Sequence, residues 1–279
     1  MMNETISRAA GAIWSSARVL EQRRFEHRYL GGGADAVLAA LAPYRTADGG
    51  YGYALEPDGR GPVSQPPHIW AALEVLEELD AVAPALCDHL ETLTAPDGGL
   101  PLALPSLEPY PRAPWWGIEP GGSLIATAHV LARLNGVRHP WVERATAFCR
   151  AKIDAMDRTH PYEAEAAIAF LDSVGDAAGA ARVGELVREQ GLIGHAPEGY
   201  AAGEVHHAYD FAPRPDSFAR AWFSDAEIDA ALDLLAAEQG EDGGWHPKWL
   251  IWTPAIGSEW IGVLTLRALK ILESYGRLD

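Results

Sequence analysis

The segment Glu56-Pro57-Asp58-Gly59-Arg60 sets two carboxylates and a guanidinium at alternate positions, just ahead of the apolar run that begins at Pro67. Close carboxylates are a way to push two acid strengths apart, so that one group keeps a proton while its neighbour stays ionised. If the segment closes over a cavity, Glu56 or Asp58 serves as a general acid and Arg60 tunes it. The same residues also suit a turn whose geometry Pro57 and Gly59 set, with Asp58 as its cap and Arg60 as a surface partner. A second cluster, His206-His207-Ala208-Tyr209-Asp210, offers His206 and Asp210 for acid/base or hydrogen-bonding work, with Tyr209 beside them for substrate contact. Adjacent histidines leave a helix on different faces and no His-x3-His pair occurs, so neither a metal nor another cofactor is expected.

Aromatic residues accompany these groups. Of the ten tryptophans, Trp70, Trp115, Trp116, Trp245, Trp249, Trp252 and Trp260 fall in or just after long loops. Their faces hold cations within about 6 Å, which suits a carbocation, and sugar rings stack on the same surfaces. Burial of a large area where helix meets loop is the plainer role for any one of them. His68, Glu119 and Glu259 lie near the starts of apolar helices, where a carboxylate also complements the helix dipole. Together with Tyr209 and the tryptophans, these three complete the expected substrate-contacting set.

The elements that must position these residues repeat. Asp-Gly-Gly occurs at Asp48, Asp97 and Asp242, with intervals of 49 and 145 residues, the second about three times the first. Recurrence at such a period marks a repeat architecture. Degenerate copies are expected near 146 and 194, the second at Gly191-Leu192-Ile193-Gly194-His195 and the first less clearly at Met156-Asp157-Arg158-Thr159. Between the turns the apolar spacing is helical, over Thr5 to Tyr29, Ala34 to Tyr44, Pro67 to Leu79, Ala83 to Leu93, Gly122 to Leu134, Trp141 to Met156, Tyr162 to Val174, Ala177 to Glu189, Ser224 to Gln239 and Ser258 to Tyr275. Ser224-x-x-Glu227 has the form of a capping box. Helices apolar on several sides alternate with one-sided, charged ones, and a ring of inner helices wrapped by outer helices satisfies both patterns. The chain is expected to be one domain, 1–279.

Composition narrows the partners. Apolar residues make up 48% and charged residues 22%, as in globular proteins with a sizeable core. A formal charge of −17 argues against nucleic acid or an anionic membrane as partner. No stretch has the length and apolarity of a membrane span, and the first twenty residues carry polar and charged side chains unlike a signal peptide. With only Cys87 and Cys149, a reducing cytoplasm is the simplest expected compartment.

Leu235-Ala-Ala-Glu-Gln239-Gly-Glu-Asp-Gly243-Gly-Trp245 fits Leu-x3-Gln-x3-Gly-x-Trp, the core of the QW repeat. On that segment and the 49-residue recurrence, the chain resembles the prenyltransferase and squalene-hopene cyclase repeat family. The resemblance implies an all-α fold, an α/α toroid of about five to six helix hairpins. It does not carry chemistry residue by residue. The cyclases' Asp-x-Asp-Asp acid motif is absent, and neither cysteine sits in the Asp-x-Cys pair with which the protein prenyltransferases bind zinc. The leading expectation is an enzyme acting on a small apolar, isoprenoid-type molecule by acid-initiated cyclisation or isomerisation. In it Glu56 or Asp58 supplies the proton, Arg60 and His206 tune it, and Trp116, Trp252 and Trp260 face the cation. The alternatives are a carbohydrate-active enzyme using paired carboxylates and a non-catalytic module that binds a lipid or peptide.

Overall fold

A computed structural model describes residues 3–81, 84–134, 136–201 and 203–278; Ala83, the expected first residue of one helix, lies outside them. Among the described residues the regular structure is helical, with two isolated β-bridges, Arg45 to Tyr51 and Gly59 to Arg112. In chain order the α-helices are α1 (Glu4–Ser16), α2 (Val19–Tyr29), α3 (Ala34–Leu41), α4 (Pro66–Glu78), α5 (Leu86–Leu93), α6 (Leu124–Ala132), α7 (Pro140–Asp154), α8 (Pro161–Val174), α9 (Ala177–Glu189), α10 (Ala208–Phe211), α11 (Asp225–Ala237) and α12 (Pro254–Ser274). By its contacts the chain divides into two compact units. Tyr44–Gln190 forms a central unit, and Met1–Pro43 with Gly191–Asp279 forms a terminal unit.

In the central unit α4, α6 and α8 contact one another in sequence, as do α5, α7 and α9, and α7 also touches α6 and α8. This two-layer stacking follows from composition. The α6 helix buries Leu124, Ala126, Thr127, Ala128, Val130 and Leu131, which lie on several sides of its cylinder. The α7 helix buries Trp141, Ala145, Phe148, Cys149 and Ile153, a single stripe at helical spacing. Proline opens α4, α7, α8 and α12, where the missing N–H has no intrahelical acceptor to lose. Ser224 and Glu227 close the expected capping box on α11.

The three Asp-Gly-Gly turns are superposable in their hydrogen bonds. The N–H of Gly49, Gly98 and Gly243 donates to the carbonyl of Thr46, Ala95 and Gly240, at 3.1, 2.9 and 2.9 Å. The N–H groups of Thr46, Ala95 and Gly240 donate forward to the carbonyls of Gly50, Gly99 and Gly244, at 3.1, 2.8 and 2.8 Å. Each aspartate accepts the N–H two residues on, at 3.2, 3.2 and 3.0 Å, so its side chain closes the turn. Burial pushes the Asp48 carboxyl up, but the Ser64 and Thr46 hydroxyls and the Gly50 N–H outweigh it and hold Asp48 below its ordinary range. At Asp242 the His246 ring and the Gly244 N–H likewise overcome burial and lower it.

The QW-like segment has a physical basis here. The Trp245 indole donates to the Leu235 carbonyl at 2.8 Å, and Gln239 Nε2 donates to the carbonyls of Gly243 and Thr5, each at 2.9 Å. The motif residues therefore tie the end of α11 to its own turn and to the start of α1.

Three local expectations change. The helix expected over Thr5 to Tyr29 is two helices, with Ala17 and Arg18 extended between them. Gln22 Nε2 donates to the carbonyls of Ala17 and Ile13 at 3.1 and 3.4 Å, satisfying acceptors that the break exposes. Apolar periodicity continues through such an elbow and does not reveal it. Position 146 lies inside α7, so no turn interrupts the chain there. The cluster His206 to Asp210, grouped by its polar residues alone, contains the short helix α10, which the helical spacing does not reveal.

Candidate functional site

The central unit gathers much of the expected site at one junction. Its loop from Gly52 to Gln65 folds inward, leaving Glu56, Asp58 and His68 only 8, 4 and 0% exposed. Backbone pairing holds it. Ala113 N–H donates to the Asp58 carbonyl at 2.8 Å and Arg60 N–H to the Pro111 carbonyl at 3.0 Å, on either side of the Gly59 to Arg112 bridge. The Trp116 ring presses on Gly59, where an added Cβ would lie 2.3 Å from it. Beneath, Gln65 anchors the loop by donating to Ser106 at 3.0 Å and accepting from Leu104 N–H at 2.7 Å.

The polar groups are then oriented one by one. Glu56 Oε2 accepts the Asp58 N–H at 2.9 Å, and Asp58 Oδ2 accepts the Trp115 indole N–H at 3.2 Å. The Glu56 N–H donates to His68 Nδ1 at 3.1 Å. That nitrogen accepts only when it carries no proton, so the neutral ring has its hydrogen on Nε2. His68 and Trp116 lie 5.8 Å apart, centroid to centroid. Two carboxylates, an imidazole of fixed tautomer and an indole can move or hold a proton beside an aromatic face.

The remaining expected residues of this unit stand differently. Arg60 is half-buried and Glu119 is exposed. Trp115 is 43% exposed, whereas the adjacent Trp116 is 5% exposed. Trp70 stacks on His129 of α6 at 4.4 Å and 28°. His129 escapes sequence reasoning because it is the lone ionisable residue within an apolar helix, with no spacing to flag it. The consecutive non-glycine residues Tyr53 and Ala54 also escape it. Both adopt left-handed backbone, φ 57° and 59°, with only Leu55 between them and Glu56. Such strain persists where surroundings impose it, and it gathers at functional sites.

In the terminal unit the expected residues serve the local fold. Asp210 Oδ2 accepts the His207 N–H at 2.8 Å while the His207 side chain accepts the Asp210 N–H, a reciprocal cap on α10. Asp210 also faces Arg267 at 3.5 Å. Burial pushes the His207 ring below its ordinary pKa, against the pull of Glu238 and aided by Lys248 and His206. His206 is buried among aromatic rings, 6.3 Å from both Tyr200 and Phe211, and Tyr209 is buried 5.4 Å from His207. Trp245 is 4% exposed and committed to its turn. Trp249 meets Trp260 edge to face at 5.1 Å, and Trp252, Glu259 and Trp260 are half-buried.

Among the described residues no group of three or more His, Cys, Asp or Glu side chains could hold a metal ion, and no helix is long and apolar enough to cross a membrane. Cys87 and Cys149 are buried thiols, and burial pushes both pKa values up. No protein-family model matches the chain, and no curated protein matches it significantly.

Proposed function

We propose that the protein is a proton-transfer enzyme whose site is the Glu56, Asp58 and His68 junction of the central unit, acting on an apolar, isoprenoid-type substrate by acid-initiated cyclisation or isomerisation. The observation that carries this reading is the burial of two carboxylates of one loop and the imidazole of His68, at the start of α4, beside the Trp116 ring. Burying such groups is costly, and titratable groups held together at that cost are candidates for chemistry. In the proposed step Asp58 gives its proton to one carbon of a substrate double bond. The π electron pair forms the new C–H bond, and the other carbon becomes a cation that the aromatic faces stabilise. Loss of a proton from a neighbouring carbon to the Asp58 carboxylate forms the product double bond and restores the acid, with no net proton consumed. Glu56 holds the Asp58 backbone in place. The same proposal includes an α/α toroid for the helix hairpins, supported by the QW-like segment and by the threefold recurrence of one turn.

One observation favours the carbohydrate reading as runner-up. The exposed Trp115, its edge tied to Asp58, is the kind of aromatic surface on which a sugar ring stacks beside an acid. A thermal-shift comparison of isoprenoids and their diphosphates with oligosaccharides separates the two, since a ligand at 100 times its dissociation constant adds about 2.7 kcal/mol of stability. Stabilisation by isoprenoids alone supports the leading reading; stabilisation by sugars alone replaces it. With a substrate in hand, Asp58→Asn is expected to lower turnover by about 10²- to 10⁴-fold, the usual worth of a positioned acid, without lowering the melting temperature. Full activity in both Asp58→Asn and Glu56→Gln would sink the proposal.

A further inference from the structure

Two adjacent tryptophans meet the carboxylate loop in opposite ways. Trp116 is buried, its N–H donates to the Ala113 carbonyl at 3.0 Å, and its ring is wedged against Gly59. Its carbonyl also accepts from Arg112 Nε at 3.2 Å. Trp115 has 43% of its surface in solvent, yet its indole N–H reaches Asp58 Oδ2 at 3.2 Å. The paired backbone of 58–60 and 111–113 fixes where the indole starts. A donor aimed at a carboxylate oxygen favours the ionised form over the neutral acid. A general acid has to carry a proton on one of its two oxygens, and the indole faces one of them.

We infer that Trp115 is a positioning residue governing the proton on Asp58: its indole N–H fixes Oδ2 and favours the carboxylate, and its exposed ring is the member of the site that a substrate can displace. This rests on the proposed catalytic reading of the Glu56 and Asp58 loop. Displacement of the indole by an entering apolar substrate removes the donor, so Asp58 takes up a proton from solvent water as the substrate arrives and before the site is covered. This ties protonation of Asp58 to occupancy of the site. The charged and titratable groups on the elements packed here include Glu56, Arg60 and Tyr53 on the same loop, His68 on α4, and Arg112 and Tyr110 on the paired segment, the Tyr110 ring lying against Gly61. Trp115 itself neither gains nor loses a proton.

The test uses the full chain labelled with ¹⁵N, in which the Trp115 indole resonance is identified by its loss in Trp115→Phe. As pH falls, that resonance is expected to move in one step as Asp58 protonates, and the step is expected to vanish in Asp58→Asn. A resonance indifferent to pH, or one that titrates unchanged in Asp58→Asn, overturns the inference. With turnover established, Trp115→Phe is expected to move the basic limb of the kcat/KM profile to higher pH, because the acid form of Asp58 then survives longer. A uniform loss at every pH, with no displacement of the limb, would assign Trp115 a structural role and overturn the inference as well. A coupled indole titration in a protein that turns over neither isoprenoids nor sugars would keep the Trp115 to Asp58 linkage and remove the catalytic reading alone.

Discussion

The turn at Asp48 and the turn at Asp242 make the same backbone bonds, and the loops that leave them behave differently. After Tyr51 the chain turns inward, reverses through left-handed Tyr53 and Ala54, and buries Glu56 and Asp58 before α4 begins. After Trp245 it runs outward, exposing Leu250 and Ile251 by 58 and 42%, and Lys248 reaches back to Glu238 on the preceding segment. The environment of the turns differs as well. At Asp48 the aspartate also collects the Ser64 and Thr46 hydroxyls, whereas at Asp242 the added partner is the half-exposed His246. A repeated turn is therefore a fixed mount, and the loop hung on it determines whether polar groups are buried or left in water.

The mount is not equally tolerant at each site, and this gives the largest expected difference. Gly49 and Gly243 both sit in left-handed backbone, φ 95° and 88°. A Cβ on Gly49 meets nothing within 4 Å, but one on Gly243 would lie 2.0 Å from the Arg8 carbonyl oxygen of α1. Gly49→Ala is expected to cost roughly 1–2 kcal/mol, the price of placing an L-residue in that backbone. Gly243→Ala adds an overlap with main chain that cannot swing aside, for a total of about 2–5 kcal/mol. Urea unfolding of the two variants measures the difference. Equal losses would mean that α1 yields at Arg8 and that the two mounts are mechanically alike.

The turns were legible because their chemistry is local. Asp-Gly-Gly specifies a side-chain acceptor and a left-handed glycine wherever it occurs, and helical periodicity specifies the faces that α6 and α7 bury. The candidate site was legible only in part. Glu56, Asp58 and Trp116 were singled out because carboxylates and aromatics clustered in long loops, and His68 because it lay at a helix start. What local spacing cannot encode is tertiary pairing. The bridge between Gly59 and Arg112 joins segments about fifty residues apart, and only that pairing separates the roles of Trp115 and Trp116. The roles of Asp210 and Trp245 went unseen for the same reason in miniature. Each is committed to a hydrogen bond that forms only when α10 begins, or α11 ends, where it does.

A smaller effect sharpens what the second and third turns share. The N–H following each, at Leu100 and Trp245, donates to a threonine hydroxyl of a later helix, Thr127 at 2.8 Å and Thr265 at 3.1 Å. Both threonines are 0% exposed. Valine in either place keeps the shape but leaves a buried N–H without its acceptor, at an expected cost of about 1–3 kcal/mol. Serine restores the hydroxyl and is expected to recover part of the loss. Thermal unfolding of Thr127→Val, Thr265→Val and the two serine variants tests whether one contact serves both turns; a loss at one site only would show that the resemblance stops at the turn itself.

The smallest effect isolates the loop from its mount. Ala54 holds φ 59°, which costs an L-residue roughly 1–2 kcal/mol that glycine does not bear, while glycine's extra freedom in the unfolded chain returns roughly 0.5–1 kcal/mol of that gain. Ala54→Gly is therefore expected to raise stability by up to about 1.5 kcal/mol. If the strained backbone is what presents Glu56 and Asp58 correctly, the same variant is expected to lose turnover although it unfolds at a higher temperature. A stabilised protein with undiminished turnover would show instead that the inward loop is held by its pairing with 111–113 alone, and that the left-handed residues merely connect the turn to it.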